Sequence, residues 1–329
     1  MYRLILARKL MQLKRHLDSY LQNEVAWILI ALLTVSALPI YGQKSNTDQE
    51  LANEDWIRVA TDDGVFSVEM PSKFRMMHFD ETIDFYREQS RYALSDIRIL
   101  SSFENDTLIR LEIYRGPASV ARAFFDSSTY SRMRRGPQIK GTGYTIRQLR
   151  QVSTNFFSVA YFVAVGGRVF VLTAASRNGE TPEIKRFLDS LDINRSGKEF
   201  GPDEVRPISK LPLTKVRIEI EADEPIKPLK DASPQTGDET QRLPLRIIAQ
   251  PRPGFTAEAR ELGVSGKIVV RVQFAKDGFV PEIRIRRALP AGLIQQVLFA
   301  ALRMSFLPRV DNGNPIDVTR NVEYTFSIY

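Results

Sequence analysis

Proline divides this chain. Nine of its 18 prolines lie between Pro202 and Pro253, in a sequence of 329 residues. Each lacks a backbone N–H and fixes φ, so neither a helix nor a central strand can run through the cluster. Charged residues fill the same stretch and aromatics are few, which reads as a semi-extended linker over residues 196–244. One island within it, residues 214–220, has the β-branched character of an isolated strand. Fully extended at ~3.1 Å per residue, such a linker would reach on the order of 150 Å. The chain on either side is expected to fold as separate bodies: 55–193 and 245–329. An apolar fraction of 43% with 10% aromatics gives both enough to bury.

The start of the chain reads as an export segment. Residues 1–24 carry five Lys or Arg against two Asp or Glu, and an apolar run follows over residues 25–38. At ~1.5 Å per residue that run covers about 21 Å, short of the ~30 Å hydrocarbon core of a bilayer. Pro39 ends it, and Gly42 before Gln43 is a small residue at a cleavage position. Residues 1–43 therefore read as a secretory signal peptide, with an uncleaved signal-anchor reaching Tyr41 as the alternative. Met11 is a second candidate start. Both readings place the remaining chain outside the cytoplasm.

Composition removes several chemistries. The chain has no Cys, which excludes disulfides, thiolate metal sites and Cys nucleophiles. It has only His16 and His78, too few for a multi-histidine metal site. The net charge of +7 sits at the two ends. In the tail it is spread along strands as Arg271, Arg284, Arg286, Arg287 and Arg320, the pattern of a solvated sheet face rather than a nucleic-acid surface. No serine lies in a Gly-x-Ser-x-Gly elbow around which His78 and an acid would form a triad. The acidic pairs Asp62-Asp63 and Asp80-Glu81 lack metal-loop spacing. Arg132-Met133-Arg134-Arg135 reads as a basic loop, and Gly141-Thr142-Gly143 lacks the rest of a nucleotide fingerprint. No cofactor, metal or catalytic residue is expected, and the chain does not read as an enzyme.

Residues 55–193 alternate as strands should. Residues 65–71 form a short run stopped by Pro71, and residues 108–114 alternate with period two, as in a half-buried strand. Residues 159–165 and 168–174 flank Gly166-Gly167, a hairpin signal. Residues 118–130 and 182–191 read as helices. The second opens on Thr181, Pro182 and Glu183 and places Ile184, Phe187, Leu188 and Leu191 on one face. An antiparallel sheet carrying helices is expected. The opening 64–71 and the closing 186–191 resemble the PsbP/Mog1-like α/β sandwiches.

The last region has a denser pattern. Thr256 caps a helix over residues 257–262, with Gly263 at its end. Residues 267–274 put Ile268, Val270, Val272 and Phe274 on one face. Asp277-Gly278 signals a hairpin, with a return strand over 279–286 whose Glu282, Arg284 and Arg286 face outward. A helix follows over 290–304, then a short extended piece over 305–310, the turn cluster 311–315, and a final strand alternating Val318, Val322, Tyr324, Phe326 and Ile328. Three stretches, 253–260, 263–272 and 277–280, resemble the C-terminal domain family of TonB-type energy transducers. The resemblance continues through 300–308, 313–316 and 322–326, and covers residues 245–329. Met304 stands at the family's tryptophan position, and Pro253 with Phe255 keeps only part of the family's Gln-Pro-x-Tyr-Pro motif. Residues 25–41 contain no His, whereas family transducers carry one in the membrane helix that couples to a motor.

The two regions together are expected to give an α+β fold of two domains joined by the Pro-rich linker, and the resemblance implies for the last a small two-layer domain ordered helix, hairpin, helix, strand. It implies an energy transducer or adaptor of the periplasm, whose partner is a TonB-dependent outer-membrane transporter, with inner-membrane proton-driven motor proteins as further partners. The transporter's extended peptide would add to the last strand, at the edge of a three-stranded sheet, along Val318, Arg320, Val322, Tyr324, Phe326 and Ile328. Arg320, Tyr324 and Phe326 would set selectivity, and Pro253 and Phe255 would add a secondary contact. The alternative is a secreted periplasmic binding or structural protein that uses the domain as a scaffold.

Overall fold

The computed structural model describes residues 55–79, 83–87, 90–126, 130, 132–141, 144–193, 205–221 and 242–328. The expected export segment at 1–43 lies outside the described residues, as do Asp80-Glu81 and residues 222–241 of the linker. Among the described residues no helix is long and apolar enough to cross a membrane.

The chain is α+β, mostly sheet with few helices. Strands β1 (Trp56–Ala60), β2 (Phe66–Pro71), β3 (Arg75–Phe79), β4 (Ile83–Arg87), β5 (Ser90–Glu104) and β6 (Thr107–Arg115) lead into helix α1 (Ala118–Asp126). Strands β7 (Arg134–Arg135), β8 (Ile139–Gly141), β9 (Tyr144–Ser153), β10 (Phe156–Val165) and β11 (Arg168–Ser176) follow, then α2 (Pro182–Asp189), β12 (Asp192–Ile193) and β13 (Arg206–Pro207). Next come β14 (Arg217–Ile220), β15 (Arg242–Leu243), β16 (Arg246–Ala249), α3 (Ala257–Glu261), β17 (Gly266–Phe274) and β18 (Glu282–Arg287). The chain closes with α4 (Leu293–Leu302), β19 (Ser305–Leu307), β20 (Arg309–Asp311), β21 (Asn314–Ile316) and β22 (Val318–Phe326).

The middle domain is built on one large antiparallel sheet ordered β3-β5-β6-β11-β10-β9-β7, with β4 on β5 and β8 on β9. The expected hairpin is present: β10 and β11 pair from Val165 opposite Arg168, across Gly166 and Gly167, both at positive φ. Two central residues in the left-handed region make the tight turn that matches strand twist. Asn105 and Asp106, also at positive φ, make a second such turn between β5 and β6. Helix α2 is capped as its sequence implies, the Thr181 hydroxyl accepting from the Ile184 N–H, with Ile184 and Phe187 buried beneath it.

Both faces of the large sheet are covered. On one, Phe170 stacks on Phe66 of the small sheet β12-β2-β1-β13, ring centroids 3.9 Å apart. On the other, Tyr114 meets Phe124 of α1 and Phe299 of α4 edge to face. That second face shares one apolar core with the C-terminal region, from Ile99 and Val171 through Val297 to Phe306. Strand β6 was expected to keep its polar face in water. Arg110 and Glu112 instead are 1% and 0% exposed, because the C-terminal domain lies over them.

The segment expected as a free linker is bound wherever it is described. Val205, Ile208 and Leu211 are buried, and β13 runs parallel to β1. The Thr214 N–H then donates to the Met76 carbonyl, and β14 adds in parallel to β18. The island at 214–220 is thus not isolated, and the C-terminal sheet has four strands, ordered β14-β18-β17-β22, rather than three.

Candidate functional site

Strand β22 takes its shape from β17. The two pair antiparallel along nine residues each, from Phe326 opposite Gly266 to Val318 opposite Phe274. Among the described residues no strand lies on the other side of β22. Alternate residues of an edge strand direct both backbone groups away from their partner, so β22 offers a row of donors and acceptors to an extended chain.

Its side chains divide by parity. Val322, Tyr324 and Phe326 are buried, and the Tyr324 hydroxyl donates to the Met304 sulfur at 3.9 Å. Burial raises the pKa of that phenol. Phe326 meets the half-buried Phe255 edge to face at 5.6 Å, and the Arg260 guanidinium lies over the Phe255 ring. Tyr324 and Phe326, expected to set selectivity, are buried in the core. The apolar side of the strand needs its aromatics to close over α3 and α4. On that parity only Arg320 and Ile328 are exposed, with Val318 half-buried. On the other parity Thr319, Glu323 and Thr325 are exposed. Pro253 is half-buried just before α3, near the cap where Thr256 accepts from the Ala259 N–H. Phe255 contacts β22 itself through Phe326.

At the opposite end of the sheet β14 covers β18 and is itself the outermost strand among the described residues. Glu221, at the end of β14, pairs with Arg284 at 3.3 Å, Arg271 at 3.7 Å and also Arg286. Burial is the largest single influence and would raise its pKa, but hydrogen bonds from Arg284 and Arg286 with the charges of Arg286 and Arg271 together outweigh it and lower the carboxyl's pKa. Arg286, expected outward, is 7% exposed beneath this acid. Arg271, Arg284 and Arg286 are thus gathered around an acid of the linker, while Arg287 and Arg320 remain exposed as expected of a solvated face. Nothing in the tail alone signals this, because the acid lies some 50 residues earlier, on a segment whose prolines read as linker.

A buried polar cluster holds the sheet on the middle domain. Arg303, at the end of α4, donates to Glu112 at 3.2 Å and to the Tyr114 hydroxyl at 2.7 Å. Arg110 donates to Glu112 at 2.9 Å and to the Leu302 carbonyl at 2.8 Å. Burial alone would raise the Glu112 pKa, but the charges of Arg110 and Arg303 and the Tyr114 hydroxyl lower it on balance. The Tyr114 phenol, buried beside that carboxylate, is held well above its ordinary value. At the other end of the contact the Ser101 hydroxyl donates to the Gly278 carbonyl and Arg75 pairs with Asp277.

Helix, hairpin, helix and a long final edge strand, in this order and with these residues, decide the family. Residues 251–328 match the model described as Gram-negative bacterial TonB protein C-terminal. This part of the chain is a TonB C-terminal domain. Such domains generally bind outer-membrane transporters and belong to proteins of the bacterial envelope. No curated protein sequence matches the chain. A crystal structure from Bacteroides thetaiotaomicron VPI-5482 overlaps 45% of this chain and 52% of that one, at 11% identity and a TM-score of 0.27. The chain thus spans about half the length of that structure, and a likeness so distant carries no argument.

Proposed function

We propose that the protein is a TonB-like transducer or adaptor of the periplasm, catalytically inert, that binds an extended peptide of an outer-membrane transporter along β22 and so supports transmembrane transport. The observation that carries this reading is the long outer edge of β22, unpaired among the described residues, in a TonB C-terminal domain whose sheet ends on its other side in the short strand β14. Backbone pairing along such an edge supplies affinity, and alternate side chains supply selectivity. An inner-membrane motor would be a further partner if residues 1–43 remain as an anchor.

The chain has no Cys, so one introduced thiol is unique. Thr325→Cys, exposed on β22, carrying a photoreactive thiol reagent, is expected to form an adduct with an outer-membrane protein in intact cells. Lys140→Cys, exposed on β8, is expected to form none. Equal labelling by both variants would overturn the reading.

The buried contact between the two domains favours a second reading, a secreted binding or structural protein in which the domain serves as a scaffold. Mass spectrometry of the N-terminus separates the two. An intact terminus in the inner-membrane fraction fits a transducer, and a mature chain starting near Gln43 in the soluble envelope fraction fits the scaffold.

A further inference from the structure

A second groove, within the middle domain, runs along β10 beside α2. Phe157, Val159 and Tyr161 alternate along it, and Arg150 of β9 borders it opposite Val159. Lys185, Leu188 and Asp189 of α2 line the other side, and Glu180 adds a carboxylate just before the helix cap Thr181. The cavity between them is about 280 Å³, at the low end of ligand pockets, so it suits a small occupant. Phe157 and Val159 are buried and Leu188 is half-buried, which makes the floor apolar.

The rim carries both signs of charge. The Arg150 guanidinium lies 5.4 Å from the centroid of the Phe157 ring and 3.8 Å from the Glu180 carboxylate. That separation is an ion pair without a hydrogen bond, so both groups keep hydrogen-bonding capacity at the groove. Lys185 and Asp189, by contrast, are closed on each other one helical turn apart. The Tyr161 hydroxyl has no hydrogen-bond partner among the described residues. Burial raises the pKa of that phenol, and it feels the charges of Arg150, Asp189 and Glu180, which puts it at the same rim.

We propose that this groove binds a small zwitterion of the amino-acid type. Its ammonium meets Glu180, its carboxylate meets Arg150 and the Tyr161 hydroxyl, and an aliphatic side chain lies on Phe157, Val159 and Leu188. Three features select this occupant. One cation and one anion face each other across an open pair, so a ligand of a single charge would satisfy only one of them. A zwitterion instead replaces one open pair by two charge-assisted contacts. The 3.8 Å opening matches the close spacing of the two charges within one amino acid. The apolar floor beneath the pair takes one side chain, and the small volume suits one residue rather than a peptide. The site belongs to the middle domain and does not depend on strand addition at β22.

Saturation-transfer NMR on the full chain tests it, with leucine, N-acetylleucine and leucinamide as probes. N-acetylleucine lacks the ammonium, and leucinamide lacks the carboxylate. Leucine is expected to bind about fivefold tighter than either derivative, the effect of one exposed charge contact. Arg150→Gln is expected to bring leucine down to the level of leucinamide, while leucinamide binds as before. Glu180→Gln is expected to bring leucine down to the level of N-acetylleucine, while N-acetylleucine binds as before. The two side chains are 43% and 50% exposed, so neither change opens the core. No saturable transfer from leucine would overturn the site. Equal affinities for the three probes, or an advantage of leucine that survives both substitutions together, would overturn it as well.

Discussion

Glu112 is the residue on which the contact between the two domains turns. It is fully buried, and it neutralises Arg110 and Arg303, which are themselves 1% and 4% exposed. Removing the acid would strand two buried cations, and breaking a buried pair from one side costs about 3–5 kcal/mol. Glu112→Gln is accordingly expected to lower the free energy of unfolding in urea by that order, although its shape is conserved. A loss below about 1 kcal/mol, the level of a surface pair, would contradict the arrangement. The same carboxylate fixes a pH dependence. Its folded-state pKa lies below the ordinary 4.5. Its contribution to stability is then complete above about pH 4.5 and fades as pH falls through the lowered value. Melting temperature should fall more steeply below pH 4.5 in the native protein than in Glu112→Gln. The buried phenols act at the other end of the scale. Tyr130 is raised to about 12, so the stability it lends is present below pH 10 and lost as pH climbs towards 12.

At the scale of elements, the hairpin between β17 and β18 shows what a sequence tells and what it hides. Asp277-Gly278 announces a reversal, and the reversal is there, with the Gly278 N–H donating to the Ala275 carbonyl. The announced return strand begins three residues late, because Phe279 and Val280 are spent on the contact with the middle domain and are 1% and 2% exposed. Gly278 sits at φ +76, and a Cβ there would come 2.8 Å from the Leu108 side chain and 3.3 Å from the Phe103 Cβ. Gly313 has the same φ and nothing within 4 Å. Both Ala substitutions incur the left-handed strain of about 1 kcal/mol, and only Gly278→Ala adds the clash. Thermal unfolding should therefore show Gly278→Ala less stable than Gly313→Ala by about 1–3 kcal/mol. Equal losses would mean that the turn does not dock. The same limit explains strand β6. Arg110, Glu112 and Tyr114 alternate with Leu111 and Ile113, which is how a strand with one wet face reads. A face covered by polar partners from another domain has the same period. Only Arg303, nearly 200 residues later, turns water into core, and no local pattern carries that information. Caps and tight turns were legible because their partners lie within three residues. The β22 edge was legible as the chain's last long alternating run, but the burial of Tyr324 and Phe326 depended on which face α3 and α4 cover.

For the molecule as a whole, the described part of the presumed linker reverses the mechanical picture drawn from proline content. A free linker of that composition would let the C-terminal domain swing over a long distance. Here residues 205–221 run beside β1, hydrogen-bond to Met76 and finish as a strand of the C-terminal sheet. The sheet itself sits on a shared apolar core and on the cluster of Glu112. Proline did not keep the described part of the segment from lying against a surface, where single buried side chains such as Ile208 and Leu211 hold it. A partner bound at β22 would then act on the middle domain as well, since pulling on one domain loads buried contacts in the other. This has a direct consequence for stability. Residues 55–329 are expected to unfold in one cooperative transition followed by both far-ultraviolet circular dichroism and tryptophan fluorescence. Trp56, the tryptophan of this fragment, lies on β1, so its signal reports the middle domain. A fragment of residues 245–329, stripped of that contact, would expose Phe279, Val280 and Phe299 and is expected to melt at lower temperature and to bind a hydrophobic dye. Two well-separated transitions in the longer chain, with a fragment as stable as the domain within it, would restore independent domains and the swinging arm.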